Sequence, residues 1–329
     1  MFCSAWLRAA ATATAGVADA AANFRFVASD MDGTILTPQH TLSEFATETL
    51  RRLTQDRHVP FVFATGRFYA DVAAINKDMQ RFFYERRQAL PPVAGATWEG
   101  TPTYIITSNG AVVHNAETGE VVLKRMIDPA LAHEIYHLLP SSETRINTGM
   151  IHGDAWWYRM DWEEMLQFHK QSGCRYKVVP RLTWDVTRGV DHVYKLFFSS
   201  WDRPLLDKLE QLLQERYGKL LTVTFSSSYS VDIMAKDVTK ASALRHLFQR
   251  MEPLPKESPQ EASEAARLKA TIAFGDDLND AAMLTEVGRG FVMGNCNPQL
   301  KVRCPQLEVI QTNSEDAVTK KIREVFQLD

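Results

Sequence analysis

The sequence predicts an α/β fold: a doubly wound core on a parallel sheet, interrupted by a second, smaller α/β domain. Three observations predict it. The chain has 329 residues, too long for one ordinary core, so two domains are expected. Short apolar runs alternate with stretches of helical periodicity up to Thr107, the pattern of a parallel sheet with helices on both faces. After a stretch richer in hairpin signals, that alternation returns from Lys240 onward.

Residues 24–29 are a short apolar run with a polar end, which reads as a buried strand. It runs into Asp30-Met31-Asp32-Gly33-Thr34. Thr41 and Glu44 have capping-box spacing, and Leu42, Phe45, Ala46, Thr49, Leu50 and Leu53 continue at helical spacing. Residues 59–64 read as a second buried strand ending in Thr65-Gly66-Arg67, followed by a helix from residue 69 to about 83. Residues 104–107 are a third strand, ending in Ser108-Asn109-Gly110. The runs 111–113 and 121–123 flank Asn115-Ala116-Glu117-Thr118-Gly119 as a hairpin. A helix at 131–139, strands at 156–160 and 193–199, a helix at 205–217 and strands at 222–225 and 230–234 complete an inserted unit over 115–232. The core is therefore expected at 24–114 and 233–329.

In the second core segment, residues 240–250 form an amphipathic helix through Ala241, Leu244, Leu247 and Phe248. Residues 251–269, rich in Pro, Glu, Ser and Ala, read as a surface insertion. A strand at 271–274 ends in Gly275-Asp276-Asp277-Leu278-Asn279-Asp280. A helix to about residue 286, a strand at 291–293 and a helix at 316–326 follow.

Composition narrows the function classes. Apolar residues make up 45% and charged residues 23%, an ordinary globular balance. The net charge of -3 comes with no basic stripe, so a nucleic-acid partner is not expected. No run reaches the roughly 18 apolar residues of a membrane span. Cys3, Cys174, Cys296 and Cys304 are far apart and form no C-x-x-C. They read as free thiols in a reducing compartment, which points to a cytoplasmic protein, as a monomer or small homo-oligomer. Residues 1–23 are Ala-rich, with Arg8 as their one cation, and read as a poorly ordered leader rather than a transit peptide.

The chemistry sits at strand ends. Ligands of open parallel sheets bind outside the carboxyl ends of the strands. Residues 30–34, 65–67 and 276–280 are therefore expected on one rim, bringing together carboxylates, small hydroxyls and glycines. Two unit charges about 4 Å apart cost roughly 4 kcal/mol at an effective dielectric of 20, and a cation removes that cost. All-oxygen ligands favour Mg²⁺ or Ca²⁺ over zinc, and Asp30 and Asp276 fit the role of ligands. Gly33 lets the backbone approach an anion without a Cβ. Backbone N–H groups around Asp32 and Gly33 then face phosphate oxygens, and Asn279 stands where a helix begins.

Asp30-Met31-Asp32-Gly33-Thr34 after a strand resembles the D-x-D-G-T signature of the haloacid dehalogenase superfamily of phosphatases. Thr65 matches that superfamily's strand-end Thr or Ser. Lys240 resembles its phosphate-binding lysine, with Lys236 as the competing choice. Gly275-Asp276-x-x-Asn279-Asp280 matches its acidic motif. With Thr65-Gly66-Arg67, Ser108-Asn109-Gly110 and the large insert, the chain is most similar to the Cof-type subfamily, which has a Rossmann-like core and an α/β cap.

The resemblance implies roles. Asp30 is the nucleophile that forms an aspartyl-phosphate. Asp32 is the general acid and then base, its protonated fraction raised by its surroundings, and its backbone carbonyl is a ligand of Mg²⁺ alongside Asp30 and Asp276. Thr65, Lys240, Gly33 and Asn279 hold phosphate, and Asp280 supports the site. Arg67 contacts substrate, caps, or forms a surface ion pair. Asn109 orients neighbours of Asp30, or only turns the chain with Gly110. The implied substrates are small phosphate esters, foremost sugar phosphates, under a closing cap. A phosphomutase, or a binding protein that kept the fold, are the alternatives. Trp156, Trp157, Tyr158 and Arg159 alternate in a strand, so no more than half of them are expected to face a sugar.

Overall fold

The chain begins its first strand because Phe26–Ser29 (β1) carries no charge and can be buried on both faces. It lies between two parallel neighbours and every residue of it is buried. The computed structural model describes residues 24–88, 101–153, 155–162, 175–182 and 192–328. The leader at 1–23, and with it Cys3, lies outside the described residues, as does Cys174.

The first helix, α1 (Glu44–Arg51), is capped by Ser43, whose hydroxyl accepts from the Ala46 amide at 2.9 Å. The expected cap, Thr41, stands two residues too early, and its hydroxyl pairs instead with that of Thr37 at 3.1 Å. Next come β2 (Phe61–Ala64), α2 (Tyr69–Gln88), β3 (Tyr104–Thr107), β4 (Val112–Asn115) and β5 (Val121–Lys124). β4 runs antiparallel to β3, and β5 antiparallel to β4. They fold back because the Asn115 side-chain carbonyl accepts from the amides of Glu117 and Thr118, at 2.9 and 3.1 Å. The boundary expected at 115 therefore falls inside this hairpin, and the larger sheet keeps the chain through Lys124.

The inserted unit holds α3 (Pro129–Tyr136), β6 (Asn147–His152), β7 (Ala155–Tyr158), β8 (Arg175–Val178), β9 (Val193–Ser199), α4 (Arg203–Tyr217), β10 (Leu221–Ser227) and β11 (Ser230–Ala235). Its six strands run in the order β10-β11-β9-β6-β7-β8. α4 buries Leu206, Leu209, Leu213 and Tyr217, one stripe at helical spacing. The chain then returns through α5 (Lys240–Arg250), α6 (Glu264–Lys269), β12 (Thr271–Gly275), α7 (Ala281–Glu286), β13 (Arg289–Val292), α8 (Pro298–Arg303), β14 (Glu308–Val309) and α9 (Ala317–Phe326). The larger sheet reads β14-β13-β12-β1-β2-β3-β4-β5. Among the described residues no helix is long and apolar enough to cross a membrane. Cys296 and Cys304 are free and buried.

Register decides where the polar clusters meet. β1 is the centre, pairing Ser29 with Phe274 of β12 and with Phe63 of β2, all parallel. Parallel strands in register end together, so residues 30–34, 65–67 and 276–280 emerge on one rim.

Residues 251–269 lie mostly at the surface, as expected, but the segment is tied to the core at one buried point. Arg267 is 1% exposed and stitches the segment together. Its guanidinium donates to the carbonyls of Phe248 and Met251, both at 2.8 Å, and of Glu252 at 3.0 Å. It also forks onto Glu257 at 2.6 and 3.1 Å. Burial pushes the Glu257 carboxyl up, but Arg267 outweighs this and holds it below the usual range. Glu257 therefore remains charged opposite Arg267 in a buried place. Replacing Arg267 by Met should cost about 3–5 kcal/mol, because a buried charge and three carbonyls lose their partner. A urea titration reads this as a lower midpoint. Adding Glu257→Gln to that variant should recover part of the loss, since the orphaned charge is then gone.

Candidate active site

Asp30 continues the ladder of β1: its amide donates to the Phe274 carbonyl at 3.0 Å. This fixes the start of the loop against β12, whose own end carries Asp276. The chain then turns at Gly33, whose φ of 68° is left-handed. A Cβ at Gly33 would lie 2.3 Å from Asp276 Oδ2, so only glycine allows this approach. Asp30, Asp276 and Asp280 place carboxylate oxygens within 4.8 Å of one another.

Lys240 enters this cluster from the start of α5. It is 1% exposed, and its Nζ donates to Asp30 at 2.7 Å and to Asp280 at 2.6 Å. Lys236, the competing choice, points elsewhere and donates to the Gly218 carbonyl at 2.8 Å. One ammonium against three carboxylates leaves excess negative charge. Burial and then the charge of Asp280 push the Asp30 carboxyl up, against the pull of Lys240. Burial and then the charge of Asp30 push Asp276 up. Burial works against the Lys240 charge, but Asp280 and Asp30 outweigh it and keep that ammonium charged.

The remaining attraction suits a hard divalent cation held by oxygens. Asp280 is not free to ligate it: one oxygen takes Lys240, and the other accepts the amides of Asp276 and Asp277 at 2.9 and 3.1 Å. Its work is to hold Asp276 and Lys240 in place. Asp276 also accepts from Thr34 Oγ1 at 2.9 Å.

Asp32 departs from its expected environment. Burial pushes its carboxyl up, but Arg67 and His40 outweigh this and hold it well below the usual range. Arg67 Nε donates at 2.6 Å, and His40 Nδ1 lies 2.8 Å away. The expectation that the surroundings raise its protonated fraction therefore does not hold in this conformation. Arg67, for which a surface ion pair was one reading, has only 11% of its side chain exposed and clamps Asp32.

Thr65 is 1% exposed, and its Oγ1 accepts from the Arg67 amide at 3.0 Å. Asn279 does not cap a helix: Asp277 does, accepting from Leu278 N at 2.7 Å. Asn279 donates instead to Asn109 Oδ1 at 3.0 Å, and the α7 helix that follows has only six residues. Asn109 does turn the chain, with φ 57°, but its Nδ2 also donates to Asp232 of the inserted unit at 2.7 Å.

Around these groups lies a cleft of about 710 Å³ between the two sheets. The core side contributes Asp30, Asp32, Gly33, Thr65, Asp276 and Asn279. The inserted unit contributes Trp156, Tyr158, Phe197, Lys195, Arg203 and Tyr229. Trp156 and Tyr158 share one face of β7, as alternation requires. Trp157 points away, packing on His152 with ring centres 4.5 Å apart. Arg159 is structural, donating to the carbonyls of Pro140, Glu143 and Ile146 at 3.0, 2.6 and 2.8 Å.

Sequence reasoning missed His40, Lys195, Asp232 and Arg203. Nothing local marks His40 or Arg203. Lys195 and Asp232 did carry a signal: each is a charged residue inside an otherwise apolar strand, where an unpaired charge would be costly.

Comparison with known proteins places this geometry. A curated protein of Haemophilus influenzae is 32% identical over 306 residues, covering 93% of this chain and 98% of its own. The HMP-PP phosphatase of Escherichia coli strain K12 is 32% identical over 296 residues, covering 90% and 93%. The crystal structure of a Thermotoga maritima protein superposes with a TM-score of 0.65 at 25% identity, covering 92% of this chain and 97% of that one. Residues 27–322 match the family of haloacid dehalogenase-like hydrolases, and the chain, with its paired acidic strand ends on one parallel rim, belongs to it.

Proposed function

We propose that this protein is a Mg²⁺-dependent phosphatase that transfers a phosphoryl group from a small ester to Asp30 and then to water. The observation that carries the reading is the convergence of Asp30, Asp276 and Asp280 with Lys240 on one buried spot. When bound, Mg²⁺ would supply positive charge to the transferring phosphoryl group. Asp30, Asp276 and the Asp32 carbonyl are the groups that would hold it.

In the first step an Asp30 oxygen forms a bond to phosphorus while the bond from phosphorus to the ester oxygen breaks. Lys240 and the Thr65 hydroxyl stand beside the equatorial oxygens, where charge builds up. The leaving oxygen takes a proton from Asp32. In the second step Asp32 takes a proton from water, whose oxygen attacks phosphorus and frees Asp30 and inorganic phosphate. Arg67 now holds Asp32 ionised. Asp32 gains its proton only when the entering substrate loosens that clamp.

The inserted unit at about 125–235 serves as a cap that roofs the cleft and excludes bulk water. Trp156, Tyr158 and Phe197 give the leaving group an apolar wall, and Arg203 with Tyr229 a polar one. A wall of broad aromatic faces suits a ring, whether the C–H face of a sugar or a planar heterocycle. Sugar phosphates and HMP-PP, the compound in the relatives' name, are the substrates to compare first.

The test is release of inorganic phosphate from a panel of such esters, with and without Mg²⁺. Activity without Mg²⁺, or a rearranged ester in place of free phosphate, would overturn the reading. Asp30→Asn should abolish turnover. Asp32→Asn should bind Mg²⁺ normally yet slow catalysis about 10²–10⁴-fold, the usual worth of a general acid–base. Equal rates in wild type and the Asp32 variant would remove that residue from the scheme.

Gly33→Ala tests the cation site apart from turnover. Its Cβ has no room beside Asp276. Mg²⁺ affinity, measured as the shift in melting temperature on titration with Mg²⁺, should fall by about tenfold or more.

A further inference from the structure

Two charged side chains of the inserted unit are buried where the proposed chemistry does not use them. Lys195 stands in β9 and Asp232 in β11, 4% and 1% exposed. Lys195 Nζ donates to Asp232 Oδ2 at 2.7 Å and to the core carbonyl of Gly66 at 2.9 Å. Asp232 Oδ2 also accepts from core Asn109 at 2.7 Å, and its Oδ1 accepts from Ser230 at 3.1 Å. Asn109 in turn accepts from Asn279. The backbone of Asn109 donates to the Thr65 carbonyl at 3.0 Å. The pair thus touches two core loops, the one that carries Thr65 and Gly66 and the one that carries Asn109, and reaches Asn279 through Asn109.

Burying an ion pair gains little stability by itself, since desolvation offsets most of the attraction. A pair set at a domain boundary, with each partner also bonded to the core on the other side, does something else. It makes correct docking of the insert and correct placement of the core loops one event. Gly66 shows how tightly the two core loops pack on each other there: a Cβ would lie 2.9 Å from Asn109 Oδ1.

We propose that Lys195 and Asp232 form a latch that holds the insert closed on the core and positions Thr65 and Asn279 for the transferring phosphoryl group. Both are positioning residues. The proposal rests on the phosphatase reading for its kinetic test, while the docking itself is tested without activity.

The experiment compares wild type with Lys195→Met, Asp232→Asn and the double variant. With a latch, kcat falls about 10–100-fold in each single variant. The fall is the same for p-nitrophenyl phosphate as for a larger phosphorylated metabolite. The double variant is no worse than the poorer single one, because the two act as a unit. Hydrogen–deuterium exchange should show faster exchange at residues 65–67 and 108–110 in both singles, with the strands beneath unchanged.

Losses that multiply in the double variant would overturn the latch. So would a rise in KM for the larger substrate alone, which would make Lys195 a plain substrate contact. If Lys195→Met does not fold, Asp232→Asn, which keeps the shape, carries both readouts. A wild type that releases no phosphate overturns the phosphatase reading only. Unchanged exchange at those loops then still decides against the latch.

Discussion

Three carboxylates gathered around a single buried lysine are the constraint on which the rest of the site depends. Asp30, Asp276 and Asp280 would repel one another strongly in a place shielded from water. Lys240 offsets only part of that charge. The deficit makes the site receptive to a cation, and with it to a phosphoryl group. The same deficit explains the care with which each oxygen is placed. Asp280 spends its acceptors on Lys240 and on two backbone amides, and Thr34 pins Asp276.

That arrangement needs a rigid frame, and the parallel sheet is the frame. β1 and β12 run side by side, so Asp30 and Asp276, far apart along the chain, leave the sheet at the same height. The left-handed turn at Gly33 then folds the chain back over the strand end, with no side chain to obstruct Asp276. Away from the rim, the frame is held by apolar strands buried on both faces and by buried polar staples. Arg267 is the clearest of these, tying the segment after α5 to the body of the core.

Charged and aromatic surface are divided between the two sheets. The core presents charge, and the insert presents aromatic faces and a few cations across the same cleft. In the proposed reaction, such a division would let the leaving group vary while the transfer step stays fixed, because the two surfaces are set by different segments of chain. It would also make activity depend on how the surfaces dock. Polar contacts from Lys195 and Asp232 to Gly66 and Asn109 run across that boundary.

The sequence by itself determined the strand ends and what they carry. Asp30 to Thr34, Thr65 to Arg67 and Asp276 to Asp280 each follow an uncharged run that has to be buried, so their place at strand ends was legible from local pattern. The alternation of strands and helices likewise forced a parallel sheet with an insert. Tertiary structure decided what depends on contacts distant in the chain. Whether Lys236 or Lys240 reaches Asp30 turns on how α5 packs, because both lysines suit a helix start. The ionisation of Asp32 is set by Arg67 and His40, which no spacing rule brings to it. The place of β5, the staple at Arg267 and the pair Lys195–Asp232 are of the same kind. Each is a buried group satisfied by a partner far along the chain, and local sequence records the need for such a partner but not its identity.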